Sequence, residues 1–369
     1  MADQVFGRRW SVWMADTVLE KFPQLDDRWA YDHGVVCKGL ERVYLATGEE
    51  KYFRYIQQNM DLFVNEDGEI RHYRKADHNL DFVNNGKTLL FLYEKTGQEK
   101  YRKAAERLRG QLTEHPRTSE GGFWHKDCYP HQMWLDGLYM AQPFYAQYIG
   151  MFDPRRNFED VVLQFRLIEK HLKNPETHLL YHGWDESRTC FWADPQTGRS
   201  ANYWGRSVGW YACALVDTLD YLQDGQDREE LVEMVRDLAR GITAVQDPRS
   251  GLWYQVLDQR ERYGNYPEAS CSCMFAYFLL KAAARGYIRP EYAQCGRRAF
   301  RGILREFVEV DQNRLLDLHG TVYVSGLGGS PERDGTYDYY ISEPRQVNNL
   351  LGIGAFLMAA SELELNGNG

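Results

Sequence analysis

The feature that most constrains the fold is a regular alternation of amphipathic stretches of helical length with two kinds of connection, short and long. Twelve such stretches run from end to end, at residues 8–22, 33–46, 49–64, 79–95, 98–114, 132–150, 154–173, 203–222, 227–246, 268–285, 290–309 and 342–363. Gly48 and Gly97 follow the second and the fourth stretch, and a new stretch begins directly after each glycine. Because glycine readily adopts the left-handed conformation that ends a helix, these connections are predicted to be tight turns.

The other connections are long, and each contains a short apolar or aromatic run beside a turn signal. The runs lie at 67–70, 121–125, 179–182, 250–254 and 320–323, always after an odd stretch and before an even one. Six helical hairpins with short turns at one end and long loops at the other predict an (α/α)6 barrel, an all-α fold with short β-strands in its long loops. An open solenoid is the competing architecture, but it would need polar capping repeats, which the sequence lacks.

Composition restricts the class of protein and its partners. No linker or charge block divides the chain, so residues 1–369 are predicted to form one catalytic domain. The formal net charge of −9 makes nucleic acid and membrane surfaces improbable partners, since both attract basic faces. The first ten residues lack the apolar core of a secretory signal, and seven cysteines is an odd number. We therefore expect free thiols and a cytoplasmic location. The sequence makes no prediction of oligomeric state.

Aromatic residues make up 14% of the chain, and several lie with carboxylates near the starts of the even stretches. If the even helices form one ring, these side chains converge on one mouth at the long-loop end, where the helix N-termini favour an anion. The groups concerned are Tyr31, Asp81, His125, Asp136, His182, Trp204, Arg206, Trp210 and Tyr339. Tryptophan and tyrosine bind sugar rings with their apolar faces, so the combination is typical of a carbohydrate-active site.

Each of these residues also has a structural interpretation. Asp81 or Asp136 alone is best explained as a helix cap, although the apolar neighbours of Asp136 predict a raised pKa suited to a general acid. One of Trp204 and Trp210 is expected in the core and the other as a sugar platform.

Arg206, within an aromatic run, is expected to pair with a carboxylate of the protein or of the substrate. His182 on its own would be a loop histidine. No zinc-binding spacing, phosphate-binding loop or nucleophile elbow is present.

Several motifs occur in an order that resembles a known family. Residues 117–127 and 132–140, followed by 181–186, 204–211 and 337–340, are similar to the unsaturated rhamnogalacturonyl hydrolases of glycoside hydrolase family 105. The resemblance runs from about Arg28 to Glu364 and implies an (α/α)6 barrel. It also implies that the chain removes the unsaturated uronic acid that polysaccharide lyases leave at the non-reducing end of oligosaccharides such as unsaturated rhamnogalacturonan disaccharide.

The resemblance assigns roles residue by residue. It places Asp136 on the catalytic acid/base, Asp81 on its carboxylate partner, and substrate binding on His182, Trp204, Arg206 and Trp210. Tyr31, His125 and Tyr339 complete the expected substrate-binding set, and none of the quoted motifs covers the 310–335 loop. No metal or organic cofactor is expected.

The expected chemistry begins with protonation of C4 in the enol ether. Water then adds at C5, and the hemiketal opens to release the rest of the oligosaccharide. Like-charge repulsion from Asp81 is expected to help keep Asp136 protonated. Two alternatives remain open at this point: a sugar epimerase using His125 and His182, and a carbohydrate-binding toroid without catalysis.

Overall fold

The computed structural model describes residues 9–365, and this part of the chain is mainly helical, as the sequence predicts. Its α-helices are α1 (Trp10–Lys21), α2 (Tyr31–Thr47), α3 (Glu50–Asp61), α4 (Gly86–Thr96), α5 (Glu99–Glu114), α6 (Leu135–Phe152), α7 (Glu159–Leu172), α8 (Gly205–Thr218), α9 (Gln226–Ala244), α10 (Ala269–Ala284), α11 (Tyr292–Phe307), α12 (Tyr337–Ser342) and α13 (Leu350–Leu365). Within residues 9–365, no helix combines the length and the apolar character that a membrane span requires.

Helices α2, α4, α6, α8, α10 and α13 pack side by side in that order and close into an inner ring, with α13 against α2. Helices α1, α3, α5, α7, α9 and α11 pack around this ring, so the architecture is the expected (α/α)6 barrel. The inner helices are enclosed by neighbours; every residue of α8 from Gly205 to Thr218 is buried. An outer helix such as α11 buries one face and exposes the other.

The two kinds of connection also follow the prediction. Gly48 and Gly97 end α2 and α4 in the left-handed conformation, with φ of 72° and 67°. The long connections carry short antiparallel pairings, including the hairpin of β3 (Val308–Val310) with β4 (Leu316–Leu318) and the pair of β5 (Thr321–Val322) with β6 (Arg345–Gln346). Isolated bridges join Val64 to Ile70, Arg117 to Phe123 and Lys173 to Leu180, each directly after an outer helix.

Helix boundaries differ from the prediction where a loop forms other structure. The stretch predicted as a helix from 132 begins with β1 (Gln132–Trp134), which pairs with β2 (Gly183–Asp185). The predicted helix at 79–95 opens with a 3-10 turn over Leu80–Val83. The last helix starts at Leu350 rather than 342, because β6 and the short α12 occupy the preceding segment. Residue 8, the predicted start of the first helix, lies outside the described residues.

Three charged side chains, those of Lys87, Asp217 and Lys281, are buried in the barrel interior. Lys281 of α10 donates hydrogen bonds to Asp217 and Asp220, at 2.7 and 2.6 Å. Lys87 of α4 has weaker contacts: its Nζ lies 3.5 Å from the centre of the Tyr139 ring and donates to the Tyr139 carbonyl at 3.3 Å. Burial lowers the pKa of Lys87 to about 7, even though Asp217 acts in the opposite direction.

This buried lysine is expected to make stability depend on pH. An unfolded lysine keeps its proton up to a pKa of about 10.4. Between about pH 7 and pH 10 the unfolded state therefore binds more protons, and the free energy of unfolding rises with pH. Lys87→Met should remove this part of the slope in denaturant unfolding, whereas Lys95→Met, at an exposed position of the same helix, should keep it. Equal slopes for Lys87→Met and the wild type would contradict the assignment.

Candidate active site

Asp136 lies in the first turn of α6, directly after β1. The antiparallel register of β1 with β2 pairs Trp134 with Gly183, and Leu135 N donates to the carbonyl oxygen of His182 at 3.0 Å. The strand pair therefore fixes His182 beside the start of α6. The two residues are far apart in the sequence, and the β1–β2 pairing is what brings them together.

The carboxylate of Asp136 and the imidazole of His182 are in close contact. Asp136 Oδ2 lies 3.1 Å from His182 Nε2, and among the described residues neither of these buried atoms has another hydrogen-bond partner. On the other side of the ring, His182 Nδ1 lies 2.7 Å from the hydroxyl of Tyr340. Tyr340 thus orients His182, and Asp136 Oδ2 stays available for proton transfer.

The predicted raised pKa of Asp136 is wrong. Burial acts to raise the pKa of Asp136, but the charge interaction and the hydrogen bond with the adjacent His182 outweigh burial and lower it. The sequence showed the apolar neighbours of Asp136 and could not show that a histidine from a distant loop faces its carboxylate.

Asp81 lies in the 3-10 turn, where its N–H donates to the side chain of Asn79 at 3.0 Å. Its Oδ2 forms an ion pair with Lys126 Nζ at 2.6 Å, and its Oδ1 lies 3.7 Å from His125 Nε2. Burial acts to lower the pKa of Lys126, but the adjacent Asp81 raises it overall, so the ammonium is charged. Lys126 offsets part of the negative charge of Asp81, which weakens the repulsion that was expected to keep Asp136 protonated.

His125 is neutral near pH 7, because burial lowers its pKa to about 4. Its ring stacks on Trp134 at 4.4 Å between centroids, and Trp134 meets the ring of His182 edge-on at 5.4 Å. The ring of Trp134 therefore packs between the two histidines. Asp81, Asp136 and His182 all interact electrostatically with His125, which places these four groups in one cluster.

Tyr31, in the first turn of α2, lies near the same cluster. Burial raises the pKa of its hydroxyl, and the charges of Arg206, Asp81 and Asp136 also act on it. The first turns of α2, α6 and α8 and the 3-10 turn before α4 thus contribute to one site at the long-loop end.

Trp204 and Trp210 are each 1% exposed, so neither ring presents a free face. Trp204 packs on His182 and Tyr340, with centroid distances of 4.8 and 6.0 Å. Trp210 stacks on Tyr139 and meets Tyr31 edge-on. This placement supports both tryptophans as the backing of the site and argues against a sugar platform at either ring.

Arg206 is also buried, and its partners are not carboxylates. Its Nη1 donates to the carbonyl oxygen of Val322 at 2.5 Å and its Nη2 to that of Tyr323 at 3.0 Å. Arg206 therefore holds the β5 segment against α8 and adds positive charge next to Tyr31. Direct binding of a substrate carboxylate by Arg206 stays a prediction.

In the 337–340 motif the predicted residue was Tyr339, but the tyrosine that contacts His182 is Tyr340. The Tyr339 hydroxyl accepts a hydrogen bond from Gly326 N at 2.9 Å, at the rim of the site. Lys126, Trp134 and Tyr340 were missed as functional residues. All three lie inside the motifs that the sequence analysis singled out, at 117–127, 132–140 and 337–340. Membership of these motifs was therefore the sequence signal that could have identified them.

Comparison with known proteins identifies what the chain resembles. The family described as Glycosyl Hydrolase Family 88 matches residues 6–366. The unsaturated rhamnogalacturonyl hydrolase YesR of Bacillus subtilis is 30% identical over 301 residues, which cover 80% of this chain and 81% of YesR.

Solved structures agree. A family 105 glycoside hydrolase from C. acetobutylicum is 44% identical, with a TM-score of 0.95 over 97% of this chain and 100% of that one. The unsaturated glucuronyl hydrolase of Bacillus sp. GL1, which acts in glycosaminoglycan degradation, has a TM-score of 0.71 at 16% identity. This match covers 97% of this chain and 95% of that one, and it supports the fold alone.

The contact between His182 and Asp136 predicts a change in the pH profile. His182→Gln removes the positive charge that lowers the pKa of Asp136, so this pKa should rise and the carboxyl should stay protonated to higher pH. The basic limb of the pH profile of kcat/KM should therefore move to higher pH. Tyr340→Phe keeps the imidazole and should shift the limb less; a larger shift in Tyr340→Phe would contradict the assignment.

Proposed function

The chain belongs to Glycosyl Hydrolase Family 88 and is therefore a glycoside hydrolase, and from this premise we propose that it removes a 4-deoxy-4,5-unsaturated uronic acid from the non-reducing end of lyase-generated oligosaccharides. The resemblance to unsaturated rhamnogalacturonyl hydrolases is confirmed by YesR and by the family 105 structure. Unsaturated rhamnogalacturonan disaccharide is the substrate we propose, which places the enzyme in pectin breakdown. Membership in a hydrolase family disfavours both the epimerase and the non-catalytic toroid.

The observation that carries the mechanism is the buried Asp136 Oδ2, which lies 3.1 Å from His182 Nε2 and has no other hydrogen-bond partner among the described residues. A proton shared by this pair can pass through Asp136 to C4 of the substrate. Protonation of the enol ether places positive charge at C5 and the ring oxygen, and the resulting carboxylate then takes a proton from the water that attacks C5.

The hemiketal formed at C5 opens and releases the remaining sugar as an alcohol, so the net reaction consumes one water. Attack at C1 is not needed, and the spacing rule for paired carboxylates of ordinary glycosidases does not apply. We assign to Asp81, which Lys126 holds in place, the stabilisation of the cation that develops at C5. None of these steps uses a metal or an organic cofactor.

Two further inferences accompany this function. We treat residues 1–369 as one catalytic unit, supported by the match over residues 6–366. A cytoplasmic location stays a prediction, supported by seven cysteines that are all unpaired thiols.

The direct test is incubation with lyase-generated disaccharide carrying the unsaturated uronate. We expect the ultraviolet absorbance of the conjugated double bond to disappear while a free saturated sugar is released. Interconversion of sugars without cleavage would instead support an epimerase, and binding without turnover would support the toroid.

The mechanism rests on Asp136, and Asp136→Asn tests it. Asparagine fills the same space but cannot deliver a proton, so kcat should fall by about 10² to 10⁴, the usual contribution of general acid–base catalysis. Binding of the unsaturated disaccharide should survive. Asp153→Asn, at the far end of the same helix, should retain full activity. Near-normal kcat in a folded Asp136→Asn variant would transfer the role of proton donor to another residue, with Asp81 the first candidate.

A further inference from the structure

Gln255 is a buried polar residue that connects two rings of the candidate active site. It directly follows the apolar run at 250–254, in the long connection between α9 and α10. Its N–H donates to the carbonyl oxygen of Tyr266 at 2.9 Å, and its own carbonyl oxygen accepts from Gly205 N, at the start of α8, at 2.8 Å. The residue is completely buried, so its side-chain amide needs partners inside the protein.

The amide of Gln255 links Trp204 to Tyr340. Trp204 Nε1 donates to Gln255 Oε1 at 3.1 Å, and Gln255 Nε2 donates to the carbonyl oxygen of Tyr340 at 3.0 Å. An indole nitrogen can only donate and a carbonyl oxygen can only accept, so these partners fix the orientation of the amide. One side chain therefore connects the start of α8 with α12.

The carbonyl oxygen of Tyr340 depends on this contact. In an α-helix a carbonyl accepts from the N–H four residues later, and the residue four positions after Tyr340 is Pro344, which has no N–H. Helix α12 also ends at Ser342, two residues before this proline. Gln255 supplies the donor that the helix itself cannot provide.

Trp204 and Tyr340 are the residues that hold His182. The ring of Trp204 packs on His182 at 4.8 Å between centroids, and the Tyr340 hydroxyl lies 2.7 Å from His182 Nδ1. The rings of Trp204 and Tyr340 are nearly parallel, with an angle of 19° between their planes. The other ring nitrogen of His182 lies 3.1 Å from Asp136 Oδ2. Contacts therefore run without a break from Gln255 to the proposed catalytic carboxylate.

We propose that Gln255 is a positioning residue for the proton-sharing pair of His182 and Asp136. It acts through Trp204 and Tyr340 and does not touch the substrate. The inference rests on the proposed function, in which a proton passes through Asp136 to the substrate. Position matters at this step, because misplacing a reacting group by about 1 Å can cost about 10² in rate.

Gln255 is uncharged, which allows its effect to be measured separately from electrostatics. The titratable groups that the structure shows to interact with His182 are Asp136 of α6, Tyr340 of α12 and His125 of the loop before β1. Methionine is similar in size to glutamine and also uncharged, so Gln255→Met changes no charge near these groups. It alters the pH profile only if His182 moves relative to Asp136.

Gln255→Met tests the proposal on the full-length enzyme with the unsaturated disaccharide. We expect kcat to fall by about tenfold to 10² and KM to change much less, because the lost contacts position a catalytic pair. The basic limb of the pH profile of kcat/KM should move to higher pH, in the same direction as in His182→Gln but by less. In the double variant with His182→Gln, Gln255→Met should add no further shift, since residues that act through one another are not additive.

Gln246→Met is the matched control. Gln246 is a buried glutamine of the same connection, and its Nε2 donates to the carbonyl oxygens of Gly251 and Cys295 at 2.7 and 3.0 Å. Its replacement should lower stability and leave the pH profile unchanged. A wild-type profile in Gln255→Met, an equal shift in Gln246→Met, or a further shift in the double variant would each overturn the role of Gln255.

Gln255→Glu tests the same hydrogen bonds if Gln255→Met does not fold. Burial raises the pKa of a carboxyl group, and the protonated group can accept from Trp204 and donate to Tyr340. Its kcat at acidic pH should therefore be close to that of the wild type, and a strong loss there in the folded variant would contradict the proposal. Wild-type enzyme that fails to cleave the disaccharide would instead overturn the proposed function, and with it this role.

Discussion

Closure of the inner ring between α2 and α13 is the contact on which the site depends, since it joins the first inner helix to the last. The backbones approach so closely there that two glycines face each other across the seam. A Cβ on Gly39 would lie 3.0 Å from the carbonyl oxygen of Gly354, and a Cβ on Gly354 would lie 2.6 Å from that of Val35. Any larger side chain would separate the helices, and the ring of six would open.

Once the ring is closed, residues from distant parts of the sequence can meet. Tyr340 reaches His182 across 158 positions, and Arg206 reaches Val322 across 116. These hydrogen bonds join the C-terminal segment to the middle of the chain, at the end of the barrel where the loops of neighbouring hairpins meet. The catalytic cluster is therefore a property of the closed barrel, and no single hairpin contains enough of it to act.

The sequence was sufficient for the architecture because the barrel is a repeat, and each hairpin repeats the same periodicity and turn signals. It also predicted that Asp81, Asp136 and His182 meet at the long-loop end, and the structure brings the three together there. The sequence could not predict the direction in which the pKa of Asp136 is shifted, because this pKa depends on His182, which the β1–β2 pairing holds beside it. Likewise, the choice between Tyr339 and Tyr340 depends on the direction of side chains in α12, a six-residue helix with no periodicity to reveal it.

A chain with a formal charge of −9 must still accept a negatively charged sugar, and local structure explains how. Helices α2, α4, α6 and α8 all start at the site end, and none of them has a side chain capping its first turn. Their N-termini therefore add partial positive charge to that of Lys126 and Arg206. Glu268 caps α10 instead, so the positive potential is concentrated on the side of the ring that carries Asp81 and Asp136. The same positive potential that attracts a uronate carboxylate also favours the ionised form of Asp136. The site can therefore keep a proton for catalysis only if Asp136 shares that proton with His182.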